Sequence, residues 1–222
     1  MTLKLYYGPG ACSFVPHVLL EATGEAFEPV MVKLHKGEQR SAEYLALNPR
    51  GQVPVLVVDG EPITQILAII GYLDGRFPQQ GFLPAEPLAR ARVMQTLAWM
   101  NNTMHSTFTH VFMPQKFSDD ESIHPELKRY NTQAFAGQLD ELEAIAGRAA
   151  ADGRAFLAGE RLGPLDAYAL TLLRWGSIAG LDPAARPQLW AHVQKVAQQP
   201  PVMRAMERER LQLSLYKPAA AA

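Results

Sequence analysis

Cys12 is the residue of this chain best placed to do chemistry. It follows Gly8-Pro9-Gly10-Ala11 and precedes Val15, Val18, Leu19 and Ala22, whose i, i+3, i+4, i+7 spacing marks a buried helix face. A thiol where a loop turns into a helix meets unpaired backbone N–H groups and the positive end of the helix dipole. Both favour a thiolate with a pKa below that of a free cysteine. The competing reading is a small buried hydrophobe, the common role of a lone intracellular cysteine. Val15 stands where a second cysteine of a Cys-x-x-Cys pair would be, so an internal dithiol cycle is excluded. A mixed disulfide with a small external thiol is not.

Val53-Pro54 is the second marker. Proline has no N–H to give, and the residue before it is held extended. With a cis bond, the Val53 N–H and C=O are free to pair with an extended peptide, as a strand added to a sheet edge would be. With a trans bond this is an ordinary strand start, and both readings stand. Asn102, His105, Ser106 and Thr109 share one face of a long helix, opposite Leu97, Met104 and Phe108. That face is either solvated or turned toward a site. His17, His110, His124 and His192 show neither i, i+4 pairing nor a carboxylate cluster, so no metal site is expected.

The elements that must position these residues alternate in period. Leu3, Leu5 and Tyr7 predict a strand ending at Gly8, and Gly24 closes the helix that follows. Val30, Val32 and Leu34 predict a second strand, and Ser41 to Leu47 a short helix stopped by Asn48-Pro49. The run Val53 to Val58 reads as a strand buried on both faces. Asp59-Gly60 is a hairpin turn returning Glu61-Pro62-Ile63 antiparallel, and Ile66, Ile69, Ile70 and Leu73 sit at helix spacing. The order β-α-β-α-β-β-α over residues 1–76 is that of a thioredoxin-like α/β domain. Gly75, Pro78, Gly81, Pro84 and Pro87 then predict an irregular linker over 77–86. From 87 to 222 the patterns are all helical: Leu88–Pro114, His124–Ala151, Pro164–Ile178, Arg186–Ala197 and Pro200–Leu213.

Composition bounds the classes. The chain has 222 residues, 48% of them hydrophobic and 19% charged, which is ordinary for a globular protein. Lys+Arg 21 against Asp+Glu 22 provides no basic field for nucleic acid or anionic lipid. One cysteine makes neither an internal disulfide nor a thiolate zinc site. The first residues lack the apolar core of a signal peptide, and no stretch approaches a membrane span. The expectation is a cytoplasmic protein without nucleic-acid or membrane partners.

Leu5-Tyr6-Tyr7-Gly8-Pro9-Gly10-Ala11-Cys12-Ser13, followed by Asn48-Pro49-Arg50-Gly51-Gln52-Val53-Pro54-Val55-Leu56, resembles the cytosolic glutathione S-transferase family, closest to its bacterial beta-like class. The likeness spans essentially the whole chain. It implies a homodimer that joins the glutathione thiol to a small electrophile, with glutathione as co-substrate and no metal. It places Cys12 beside the glutathione sulfur and His105 as the catalytic histidine of the first long helix. Glutathione would be held by Tyr7, Gln52, Val53, Pro54, Gln65 and Ile66, with Lys36, beside His35, on its glycine carboxylate. Asn102 and Phe108 would line the electrophile pocket. Two alternatives share the fold: a thiol-disulfide reductase working through Cys12, and a non-enzymatic binding protein with a degraded glutathione site.

Two positions depart from the family pattern. Where the family carries Glu-Ser or a close variant, this chain has Gln65-Ile66, which keeps an acceptor oxygen and loses the negative charge. Charge-assisted hydrogen bonds are about twice as strong as neutral ones, so weak glutathione affinity is expected. Gly163 replaces the usual Ser or Thr helix cap, at a cost of only a few tenths of a kcal/mol.

Overall fold

The computed structural model describes residues 2–218; Met1 and the terminal Ala219–Ala222 lie outside them. Four strands, β1 (Leu3–Tyr7), β2 (Glu28–Met31), β3 (Val55–Val58) and β4 (Glu61–Thr64), form one mixed sheet in the order β2-β1-β3-β4. β1 and β2 are parallel, as the crossover helix α1 (Phe14–Thr23) between them requires, and the other two pairings are antiparallel. Asp59 and Gly60 both take positive φ, the requirement of a tight hairpin between β3 and β4. One sheet face packs on α1 and α3 (Ile66–Arg76) through Leu3, Leu5, Leu56, Ile69 and Ile70. The other carries a small cluster of Val32, Tyr44 and Val55 beneath α2 (Ala42–Leu47). This is the thioredoxin-like α/β layering expected from the element order.

The second part is helical: α4 (Pro87–Trp99), α5 (His105–Phe112), α6 (His124–Ala151), α7 (Pro164–Ile178), α8 (Pro187–Ala197) and α9 (Pro200–Glu209). Its core is the stripe Phe135, Leu139, Leu142 and Ala146 of α6 against α7, of which thirteen residues are buried. Asp166 holds the start of α7. Its Oδ2 accepts from the Gly163 N–H at 2.9 Å, and its Oδ1 accepts from the Leu157 N–H and His192 Nε2, each at 2.9 Å. Gly163 has no side chain with which to cap the helix, so this returning acid does the capping.

Four expectations need correction. β2 ends at Met31, because Lys33 leaves the extended region and Leu34 opens a 3-10 turn; Val32 still donates its N–H to the Tyr7 carbonyl at 2.8 Å. The apolar run is strand only from Val55, and within that strand Val55 and Leu56 are buried while Val57 and Val58, approaching the hairpin, are half-buried. The Gly/Pro-rich segment 77–86 contains a 3-10 turn at Pro78–Gln80 and buries Phe77, Phe82 and Leu83, with the Leu83 N–H donating to Asp74 at 2.9 Å. The helix Leu88–Pro114 is interrupted by a π-helical turn over Met100–Met104. A π-turn shifts the faces of the flanking helices, which hydrophobic spacing does not reveal.

Candidate active site

The loop carrying Cys12 is fixed from both ends of the chain. Ser13 Oγ accepts from the Gly8 N–H at 3.0 Å and donates to the Gly8 carbonyl at 3.2 Å. Gly10 donates its N–H to Glu209 Oε2 of α9 at 2.8 Å and accepts from Trp175 Nε1 of α7 at 2.9 Å. Glu209 is itself buried and pairs with the buried His17 Nδ1 at 2.7 Å. Burial raises the Glu209 pKa, and His17 works against that rise. Gly10 needs to be glycine on two counts: its φ is +69°, and a Cβ there would sit 2.7 Å from the Arg174 guanidinium.

The Val53 loop is clamped by α2 and the turn after it. The Gln52 carbonyl accepts from the Tyr44 hydroxyl at 2.8 Å and from Asn48 Nδ2 at 2.7 Å. The Val53–Pro54 bond is cis. Among the described residues the Val53 N–H has no backbone partner, and its carbonyl accepts only the Cys12 thiol at 3.7 Å.

Gln65 precedes α3 with φ +72°, a conformation that costs a non-glycine residue energy and concentrates at ligand-binding sites. Its carbonyl accepts from the Ile69 N–H, and the N–H groups of the first turn of α3 are left without intrahelical partners.

These loops form one wall of a cleft of about 1180 Å³. The helical part forms the other. There, the π-turn presents Asn101 and Asn102 beside His105. The Tyr168 hydroxyl donates to Asn101 Oδ1 at 3.2 Å and lies 3.1 Å from His105 Nδ1. A hydroxyl has one proton, so Nδ1 carries the ring proton and donates to Tyr168, leaving Nε2 as an acceptor. Burial lowers the His105 pKa to about 4, so the imidazole is neutral at physiological pH. Phe108 stacks on Trp175 at 4.8 Å and on Phe112 at 5.8 Å, giving the wall an aromatic surface.

The cleft gathers Cys12, Gln52, Val53, Pro54, Gln65, Ile66, Asn102, His105 and Phe108, all singled out from sequence. Two of the expected residues are not there. Tyr7 is buried in the core against His17, at 5.0 Å between ring centroids. Lys36 does not line the cleft; Lys33 and His35, at the 3-10 turn Leu34–Lys36, do so in its place. The surroundings of Cys12 work against the thiolate expected from its place in the sequence. α1 begins at Phe14, and burial pushes the thiol up to about 12, overriding the lowering effect of the Cys12 and Ser13 N–H groups. Sequence reasoning missed Trp175, Tyr168 and Glu209, whose distance in the chain from Cys12 leaves no local signal.

A consequence follows for thiol chemistry. Since the thiolate is the reactive form, Cys12 is expected to react with a disulfide reagent at pH 8 more than a hundredfold more slowly than an unperturbed cysteine. Stopped-flow labelling of the native protein against the urea-unfolded chain measures this; equal rates would show that burial does not raise the thiol, and only a faster native rate would restore the thiolate.

A thioredoxin-like sheet with a cis-proline loop faces a helical part across the cleft, the architecture of a two-part protein with its site between the parts. Residues 1–75 match the family model described as "Glutathione S-transferase, N-terminal domain", and residues 99–200 match "Glutathione S-transferase, C-terminal domain". The chain is 32% identical over 212 residues to glutathione S-transferase GstA of Escherichia coli O157:H7, covering 94% of this chain and all of that one. It superimposes on a sphingomonad glutathione S-transferase complexed with glutathione with TM-score 0.80, at 34% identity over 94% of this chain and 100% of the other. A bacterial beta class enzyme from Sphingomonas chungbukensis gives TM-score 0.79 at 31% identity, covering 93% and 98%. The chain belongs to the glutathione S-transferase family.

Proposed function

We propose that this glutathione transferase holds glutathione extended along Val53 and uses His105, with Cys12 as a neutral partner, to make its sulfur nucleophilic. The observation that carries this is the contact of His105 Nδ1 with the Tyr168 hydroxyl, which leaves Nε2 uncommitted on a residue of the same cleft as Val53 and Cys12. The cysteinyl unit pairs with the Val53 backbone, whose N–H is unpartnered among the described residues and whose carbonyl accepts only the Cys12 thiol. The γ-glutamyl carboxylate meets the N–H groups at the start of α3, and the glycine carboxylate lies toward Lys33 and His35.

The thiol proton passes to His105 Nε2 as the sulfur attacks the electrophilic carbon, and the leaving group departs with its electron pair. In the free protein His105 is a weak base. A thiolate forming ~4 Å away contributes about 4 kcal/mol at an effective dielectric near 20, worth about three pKa units. That brings the two groups close enough in basicity for transfer. Cys12, protonated at neutral pH, donates a hydrogen bond to the developing thiolate instead of attacking. Its raised pKa argues against the reductase reading, which needs a Cys12 thiolate.

The site also predicts weak co-substrate binding. Gln65 offers the γ-glutamyl ammonium a neutral oxygen, and Gln65→Glu is expected to tighten glutathione about tenfold. Calorimetry measures this; micromolar affinity in the unsubstituted protein, or no gain in the variant, would contradict it. The family resemblance further supports a cytoplasmic homodimer acting on foreign electrophiles. Among the described residues no helix is long and apolar enough to cross a membrane.

A further inference from the structure

The cleft has a charge pattern that glutathione alone does not use. Among the described residues no aspartate or glutamate lines it, although the chain as a whole is nearly neutral. The carboxylates of glutathione are matched on the sheet side, by the start of α3 at one end and Lys33 with His35 at the other. Two further cations stand on the opposite, helical wall: Lys116, in the turn after α5, and Arg174 of α7.

Among the described residues neither forms an ion pair, although the buried Glu209 carboxylate is near enough for its charge to act on Arg174. Arg174 donates only its Nε, to the Gln212 carbonyl at 2.9 Å, which aims the guanidinium without neutralising it. The remaining fork lies over Gly10, two residues from Cys12, as the 2.7 Å approach of its Nη1 to a Cβ built there shows. Glu209 faces the same loop from behind, but it is buried, bonded to Gly10 and His17, and does not line the cleft. Lys116 is close enough for its charge to act on both Cys12 and His105. The cleft also carries the apolar surface of Phe112, Trp175 and Ile178.

We infer that the electrophile this cleft selects is an organic anion: a flat apolar or aromatic body lying on Phe112 and Trp175, with a carboxylate held by Arg174 and Lys116. The assignment rests on the glutathione-binding reading above. Arginine presents a fork that matches a carboxylate, and an apolar wall that also carries unpaired cations favours an acid over its neutral amide. A neutral aromatic electrophile would gain nothing from the half-buried Arg174 guanidinium or from the exposed Lys116 ammonium.

Two glutathione conjugates test this by calorimetry: S-(para-carboxybenzyl)glutathione and its neutral isostere S-(para-carbamoylbenzyl)glutathione, with glutathione alone as reference. The carboxylate is expected to bind about tenfold tighter than the amide. Arg174→Gln and Lys116→Gln are each expected to narrow that ratio, and so is 0.5 M salt, by screening. Lys116 is exposed on a short turn, so its variant reads the charge even if Arg174→Gln disturbs the Gly10 loop. Equal affinity for the two conjugates, with glutathione itself bound, would overturn this assignment alone. A ratio unmoved in both variants would overturn it too. Failure of glutathione to bind at all would bring down the underlying reading together with this one.

Discussion

His105→Ala is expected to lower kcat/KM for glutathione conjugation about a hundredfold, the ordinary contribution of a positioned proton acceptor. Glutathione affinity is expected to change little, since the backbone of Val53, the start of α3 and the Lys33–His35 turn hold the peptide. Tyr168→Phe leaves His105 in place but removes the acceptor of its Nδ1 proton, so the tautomer is no longer dictated. Its loss is expected to be smaller and confined to kcat. The pH profile provides an independent reading. Burial depresses the imidazole to about 4, so falling pH does not protonate it until that region. The acid limb of kcat/KM therefore lies near 4 instead of near the ordinary 6.5 of histidine. The same depression affects stability: between 6.5 and about 4 the unfolded chain takes up a proton that the folded one refuses. The contribution is whole above 6.5 and declines as pH falls through that window. An alanine variant within threefold of the parent would remove His105 from the mechanism.

Asp166→Ala is expected to cost about 3–5 kcal/mol of folding stability, the range for breaking a buried, fully engaged charge. The carboxylate is completely buried and satisfies three donors, from Gly163, Leu157 and His192. Alanine leaves two buried N–H groups and an imidazole without an acceptor, and it unfastens the first turn of α7. The effect reaches the site, because α7 carries Tyr168, Arg174 and Trp175. Asp166→Asn keeps the shape and one acceptor oxygen and is expected to lose less. Urea unfolding followed by circular dichroism measures both; a loss under 1 kcal/mol in the alanine variant would show that Gly163 and its neighbours start the helix unaided.

Most of the architecture was legible because it is local. The alternation of Leu3, Leu5 and Tyr7, the Asp59-Gly60 turn and the Phe135–Ala146 stripe each state an element within a dozen residues, and each forms. The π-turn at Met100–Met104 was not legible, because Asn101, Asn102 and Thr103 weaken a helix without specifying how its hydrogen bonds shift. What it changes is the direction in which Asn101, Asn102 and His105 face. The β2 boundary slipped for a related reason: an edge strand is held by one ladder, and Val32 and Leu34 stay apolar after the backbone has left it.

At the site, the sequence by itself was enough to nominate Cys12, Val53-Pro54 and Gln65, since each is marked by its neighbours in a short motif. Only the tertiary structure decided what those residues are chemically. The loop before α1 supplies N–H groups that favour a thiolate at Cys12, yet packing from distant parts of the chain removes water and keeps the thiol protonated. Desolvation depends on everything that surrounds a group, whereas a motif reports only what lies beside it in the chain. The same holds for Gly10, fastened by Glu209 from the far end of the chain, and for His105, whose tautomer is set by Tyr168. It holds also for the cations of the cleft, where Lys33 and His35 face inward and Lys36 does not.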